Sequence, residues 1–262
     1  MTPDTHCHLD LIELDTKEVV RRAVTSGVSP IITVGIDVSS SEKALKLSLE
    51  HEAVFSSVGI HPNGTNNATG DDLERIEELS RRSKRVVAIG ETGLDFYRKT
   101  SSPEQQIKFF VEQIKLAKKT DKALIVHSRN AYNEVLDILE KEKAQSLRAV
   151  IMHCFSADLE VLKKCIRRGF RISFAGPITF RNAENSRFLA KNTPLELLLC
   201  ETDSPFLSPE PHRGKPNLPE RVKIIAAELA RIHSIDEEEM QAILRRNACE
   251  TFGIEDMENG KQ

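Results

Sequence analysis

A regular alternation restricts the fold of this chain more than any other feature. Short apolar runs rich in β-branched residues are separated by longer stretches whose apolar residues recur every three or four positions. The short runs are TPDTH, SPIITVG, AVFSSVG, RVVAIGE, ALIVHS, AVIMHCF, FRISFAG and LLLCETD. Several are continuously apolar, as strands are when helices cover both faces of a parallel sheet. Between them, TKEVVRRAVTSG, SEKALKLSLEHE, DLERIEELSRRS, PEQQIKFFVEQIKLAKKT, YNEVLDILEKEK and DLEVLKKCIRRG carry the period of helices packed on one face. Gly27 and Gly169 fall where two of these helices should stop, as left-handed caps do.

Eight strand-to-helix units within 262 residues, at about 33 residues each, predict one α/β domain, a (β/α)8 TIM barrel. The domain should span residues 1–254, with 255–262 as a frayed tail. An open doubly wound sheet is the rival architecture, but no GxGxxG or phosphate-binding loop follows the first strand. The last helical stretches, ERVKIIAAELARIHS and DEEEMQAILRRNACETFG, should complete the outer ring. A hydrophobic fraction of 39% and a charged fraction of 29% are those of a globular protein. The net charge of −3 excludes a general attraction to nucleic acid or anionic membrane, so a polyanion would have to be held locally. No run approaches the ~18 apolar residues of a membrane helix. Cys7, Cys154, Cys165, Cys200 and Cys249 are odd in number and lack a CxxC pair, which points to reduced thiols and a cytoplasmic location.

Catalytic groups of a parallel barrel sit at the C-terminal ends of its strands. Here those ends carry chemistry. DTHCHLD brings His6 and His8 to the end of the first strand, and the two-residue spacing sets both on one face with Cys7 turned away. The third strand runs into GIHP with His61, the fourth into IGETGLD with Glu91, the fifth into IVHSR with His127. The sixth ends IMHCF with His153, and the eighth LCETDSP with Asp203. Cys154, like Cys7, should face away from its neighbouring histidine. Each residue alone has a plain reading, as a satisfied histidine at the core rim or a carboxylate capping the next helix. Together they would bury mutual repulsion unless a cation organised them.

Six candidate ligands exceed the needs of one tetrahedral ion. The expected metal set is His6, His8, Glu91, His127, His153 and Asp203. Glu91 would bridge two divalent ions, with His6, His8 and Asp203 on one and His127 and His153 on the other. The nitrogen and oxygen donors suit Zn2+, Mn2+ or a related ion such as Mg2+. Two such ions form a hydrolase layout that matches phosphoesters, in which Asp203 could take the proton of the attacking water.

DTHCHLD, GIHP, GETGLDFY, HSR, MHCFS, ETDSP and PHRGKPN, in this order, resemble the TatD-like metal-dependent deoxyribonucleases of the amidohydrolase superfamily. The resemblance runs from Asp4 to about Phe252. It implies a TIM barrel, a divalent metal centre held by the same six residues, and hydrolysis of DNA phosphodiesters, often from the 3′ end. One position departs from the pattern: Leu218 of RGKPNLP stands where an acidic residue is expected, which leaves the ligands intact and bears on that loop.

Secondary candidates for substrate binding are His61, Arg129, Arg213 and Lys215, with His212 beside them, as basic groups for flanking phosphates. Tyr97 and Phe96 could stack on a base or pack with their loop, and Phe155 and Phe206 should pack. Two other functions compete. One keeps the metal and hydrolyses an amide, lactone or aminoacyl ester; many such enzymes bridge their metals with a carboxylated lysine, and here Glu91 takes that place. The other is a nucleic-acid-binding scaffold without turnover. A monomer acting on DNA, away from membranes, is the expected state.

Overall fold

The computed structural model describes residues 1–255. Its strands are β1 (Thr2–Cys7), β2 (Val28–Val34), β3 (Val54–Val58), β4 (Val86–Asp95), β5 (Ala123–Arg129), β6 (Val150–Met152), β7 (Arg171–Phe174) and β8 (Leu198–Cys200). They run parallel in sequential order around one sheet, the (β/α)8 arrangement. The helices are α1 (Thr16–Thr25), α2 (Val38–Glu50), α3 (Gly70–Arg81), α4 (Pro103–Thr120), α5 (Tyr132–Lys141), α6 (Leu159–Arg167), α7 (Glu184–Lys191), α8 (Val222–His233) and α9 (Glu237–Phe252). Residues 256–262, the greater part of the expected tail, lie outside the described residues. No described helix is long and apolar enough to cross a membrane.

Local chemistry starts and stops these helices. Asp15, Asp37, Thr69, Ser102 and Asp158 each accept a hydrogen bond from a backbone N–H of the first turn that follows, and Pro103 occupies the first helical position of α4. Gly27 and Gly169 adopt φ of +87° and +69° just beyond α1 and α6, the left-handed stop expected of them.

Two apolar clusters divide the strand residues by parity. Ile31, Leu124, Val126, Val150, Met152, Leu198 and Cys200 pack outward with the helices. Ile32, Val34, Ala123, Ile125, Ile151 and Leu199 pack together in the lumen. Helix α9 differs from the expectation of an outer-ring helix. Its Met240 and Leu244 join the outer layer, while Ala248 and Phe252 join the luminal cluster. It therefore plugs the barrel floor, leaving the opposite mouth as the open end.

The seam between β8 and β1 is closed without a regular ladder. Asp203 N–H donates to the His6 carbonyl (2.9 Å) and His8 N–H to the Ser204 carbonyl (2.7 Å). Thr202 donates from its backbone and hydroxyl to the buried carboxyl of Asp4 (2.8 and 2.6 Å). Burial raises that carboxyl to about 8, against the lowering effect of the Thr202 bonds.

Candidate metal centre

The luminal parity carries on above the apolar floor. Ala123 and Ile125 lead to His127 on β5, and Ile151 leads to His153 just past β6. On β1 the same alternation carries His6 into the mouth, and His8 follows one residue beyond the strand end. Cys7, between them, packs in the outer layer as expected. The β8–β1 seam then sets Asp203 beside both rings: its Oδ1 lies 3.8 Å from His6 Nε2 and 3.5 Å from His8 Nε2.

Glu91 reaches the centre through a bulge. Ile89 pairs with Leu124 but Thr92 with Val126, so β4 carries one residue more than β5 over this step. Such an insertion re-aims a side chain. Gly90 and Gly93 flank the bulge at φ of +135° and +134°, and a Cβ on either would fall within 2.6 Å and 2.0 Å of β5 carbonyl oxygens. Only glycine tolerates both demands. The two oxygens of Glu91 face different partners. Oε2 lies 3.5 Å from His6 Nε2 and 3.9 Å from His8 Nε2. Oε1 lies 2.8 Å from His127 Nδ1, 3.5 Å from His61 Nε2 and 3.6 Å from His153 Nε2.

Neighbouring acceptors and donors decide which nitrogen each ring offers. His8 Nδ1 sits 2.9 Å from the Val34 carbonyl, so this nitrogen carries the proton and Nε2 presents a lone pair to the centre. His61 is the reverse case. Asn63 N–H donates to its Nδ1 (3.1 Å), so the neutral ring carries its proton on Nε2, facing Glu91. His61 clusters with Glu91 and His127, yet this tautomer makes it an N–H donor and not a lone-pair donor.

Two carboxylates outside the expected set stand behind the rings. Asp95 Oδ2 lies 3.4 Å from His127 Nε2 and accepts from Asn63 Nδ2 (3.2 Å). Glu201 Oε1 lies 2.8 Å from His153 Nδ1 and accepts from the Cys154 backbone N–H (2.8 Å). The Glu201–His153 contact is short but off the N–H axis, and Glu201 Oε2 is buried without a hydrogen-bond partner. The signal that identifies Glu201 was present: it is a carboxylate directly after β8 and two residues before Asp203. Asp4 precedes His6 by the same step.

These environments shift the titrations. Burial opposes charge on every group, but the surrounding imidazoles overcome it at Glu91 and hold that carboxyl well below its usual range. Asp203 is lowered in the same way, chiefly by His8. Burial pulls His6 and His61 down. At His127 burial is outweighed by Asp95 and Glu91, which raise it.

The residues fit a divalent cation. Imidazole nitrogens and carboxylate oxygens converge, and His6 and His8 turn their Nε2 atoms to within 3.2 Å of one another beside two anionic carboxylates. Donors about 2.0–2.2 Å from a shared tetrahedral ion lie roughly 3.4 Å apart, close to the spacings among His6, His8, Glu91 and Asp203. The nitrogens turned toward the centre are His6 Nε2, His127 Nδ1 and His153 Nε2, all within 3.6 Å of a Glu91 oxygen.

The sequence profile of the family described as TatD related DNase matches residues 3–253. This chain belongs to the TatD family. It is 40% identical to the metal-dependent hydrolase YabD of Bacillus subtilis, with 96% of this chain and 98% of that protein covered. It is 36% identical to the metal-dependent hydrolase YcfH of Escherichia coli K12, with 96% of each covered. The crystal structure of YjjV, a TatD homologue from Escherichia coli K12, superposes with a TM-score of 0.91 at 30% identity, covering 96% of this chain and 98% of that one. The chain is a metal-dependent hydrolase of this family.

Around the TatD-family mouth, the secondary candidates divide. Tyr97 is 59% exposed, and the Arg129 guanidinium lies 3.9 Å from its ring centroid. Arg213 covers Phe180 at 4.2 Å, while Lys215 and His212 are exposed and half-buried on the same loop. Phe96 is partly buried against the core, and Phe155 packs between Tyr132 and Phe174. Phe206 does not pack: it is 52% exposed, with its ring centroid 6.1 Å from that of His8. β6 stops at Met152 and Cys154 takes φ of +44°, so strand alternation does not set the direction of its side chain. Burial, then Glu201, Asp203 and Glu91, drive its thiol well up. Leu218 is buried in the outer apolar layer, and its neighbour Asn217 donates to the Thr202 carbonyl (2.9 Å), so an apolar residue suits that position.

Proposed function

We propose that this chain is a metal-dependent deoxyribonuclease that hydrolyses DNA phosphodiester bonds from the 3′ end. The observation that carries this reading is the division of Glu91, whose Oε2 faces His6 and His8 and whose Oε1 faces His127 and His153. A carboxylate presented to two imidazole sets in this way would serve two cations, one on each side. His6, His8 and Asp203 would hold one, His127 and His153 the other. Two divalent ions supply Lewis acidity that lowers the pKa of water and offsets phosphate charge, the usual equipment for in-line displacement at phosphorus. The 3′ polarity rests on the family resemblance.

The chain's own residues take the remaining tasks. Asp203 is held below the usual carboxylate range, and its side chain is 15% exposed against 5% for Glu91. It is therefore ionised at neutral pH and reachable from the mouth, as a general base for attacking water must be. His61, with its proton on Nε2 facing Glu91, steadies that carboxylate at the edge of the substrate site. Asp95 and Glu201 hold His127 and His153 in place from behind. Arg129 grips a flanking phosphate, and Arg213 and Lys215 supply charge on the β8 side.

The test is incubation of the purified protein with Mg2+, Mn2+ or Zn2+ and end-labelled single- and double-stranded DNA. Expected are EDTA-sensitive release of mononucleotides and a loss of at least about a hundredfold in Glu91→Gln and Asp203→Asn. Hydrolysis of amides or lactones with no phosphodiester cleavage would overturn the reading in favour of another bond. Tight DNA binding with no turnover of any ester would overturn it in favour of a scaffold.

A further inference from the structure

Phe206 is an exposed aromatic side chain beside the histidine and carboxylate cluster. Within residues 201–210, every other residue is buried or half-buried, and Phe206 alone is exposed. Its backbone is nevertheless pinned. Phe206 N–H donates to the Asp203 carbonyl (2.8 Å), and Asn217 N–H donates to the carbonyl of Pro205 (2.9 Å). Asn217 is itself buried and tied to Thr202. The ring stands edge-on to His8, with the planes at 68°. Single exposed apolar residues are ordinary on a protein surface, but they are seldom fixed by a buried loop beside converging imidazoles and carboxylates. Barrel order adds a counterpart: Tyr97, with Arg129 over one face, stands above β4 and β5, across the ring from the β8–β1 seam that carries Phe206.

We propose that Phe206 is a stacking platform for an unpaired nucleobase next to the scissile phosphate, on the His8–Asp203 side of the mouth. The inference rests on the deoxyribonuclease reading and narrows it to substrates whose base at that position has left the duplex. Aromatic faces accept any base, so the platform favours single strands without reading sequence. Stacking present equally in ground and transition states lowers KM and leaves kcat unchanged.

Short single-stranded oligonucleotides, each with an abasic site at one position near the cleaved bond, are compared on wild type, Phe206→Leu and Phe206→Trp. Phe206→Leu should raise KM about tenfold or more with kcat little changed, and Phe206→Trp should restore it. Wild type should lose the same factor when one particular nucleotide is abasic, and Phe206→Leu should be insensitive to that change. A 2-aminopurine at that position should be quenched by wild type and not by Phe206→Leu. An unchanged KM in Phe206→Leu, or equal abasic penalties in both proteins, overturns the platform while cleavage by wild type keeps the deoxyribonuclease reading. Quenching without cleavage supports the platform and removes the nuclease; neither quenching nor cleavage removes both.

Discussion

Glu201, Glu91 and Asp203 crowd His153, and although burial opposes a charged ring they push it up to about 10, against an ordinary value of ~6.5. Without a cation the ring is therefore protonated across the neutral range. A metal ion accepts only the neutral imidazole, so uptake must expel that proton, and affinity must rise with pH until about 10. Titration calorimetry in buffers of different ionisation enthalpy should detect release of about one proton from His153 as the His127–His153 site fills near pH 7. Uptake without proton release, with affinity flat from about pH 6 to 8, would refute this assignment. Glu201→Gln removes the largest attraction on the ring. It should weaken metal binding roughly 10- to 100-fold and shrink the proton release; an unchanged affinity would show that Glu201 does not support His153. Asp4 shares the alternation of β1 with His6, and Glu201 lies two residues before Asp203, so spacing alone could have nominated both. Phe206 is the opposite case: an aromatic between apolar neighbours reads as core, and only the folded loop reveals its exposure.

At the scale of elements, strand alternation accounts for His127 above Ile125 and His153 above Ile151, both legible from one strand's sequence. Glu91 is different, because its direction depends on a bulge that appears only when β4 is laid against β5. Gly93 makes that pairing possible: at φ of +134° a Cβ would sit 2.0 Å from the His127 carbonyl oxygen. Gly93→Ala should therefore cost at least about 2–3 kcal/mol in unfolding free energy and displace His127. Urea denaturation with metal titration checks both, and a variant within about 0.5 kcal/mol of wild type would show that the close approach relaxes without strain. The weak helical period of α7 also has a physical cause. Only Leu189 and Ala190 are buried in it, too few apolar positions to mark a face. Helix α9 shows how one apolar stripe can serve two layers, since Met240, Leu244, Ala248 and Phe252 recur every four residues while its two ends meet the outer layer and the lumen.

Across the whole molecule, the residues expected to hold metal come from β1, β4, β5, the end of β6 and the segment after β8. A cation pair there would act as a staple across the barrel, including the seam that lacks a regular β8–β1 ladder. At a free ion concentration about 100 times Kd, binding to the folded state adds ~2.7 kcal/mol, or about 5–10 °C in Tm for a domain of this size. Thermal melts with added Mn2+ or Zn2+, reversed by EDTA, should show that rise; a Tm indifferent to both would mean that no ion bridges these strands. The eight-unit alternation, the helix stops at Gly27 and Gly169 and the run of imidazoles and carboxylates at strand ends are properties of the sequence by itself, because periods of two and 3.6 residues are set by local backbone geometry. Which nitrogen each histidine offers, the aim of Glu91, the plugging of the floor by α9 and the exposure of Phe206 were decided by tertiary structure. Each depends on a partner from another strand or loop, such as Val34 for His8 or Asn63 for His61, and closure of the ring is what brings Asp203 back to His6.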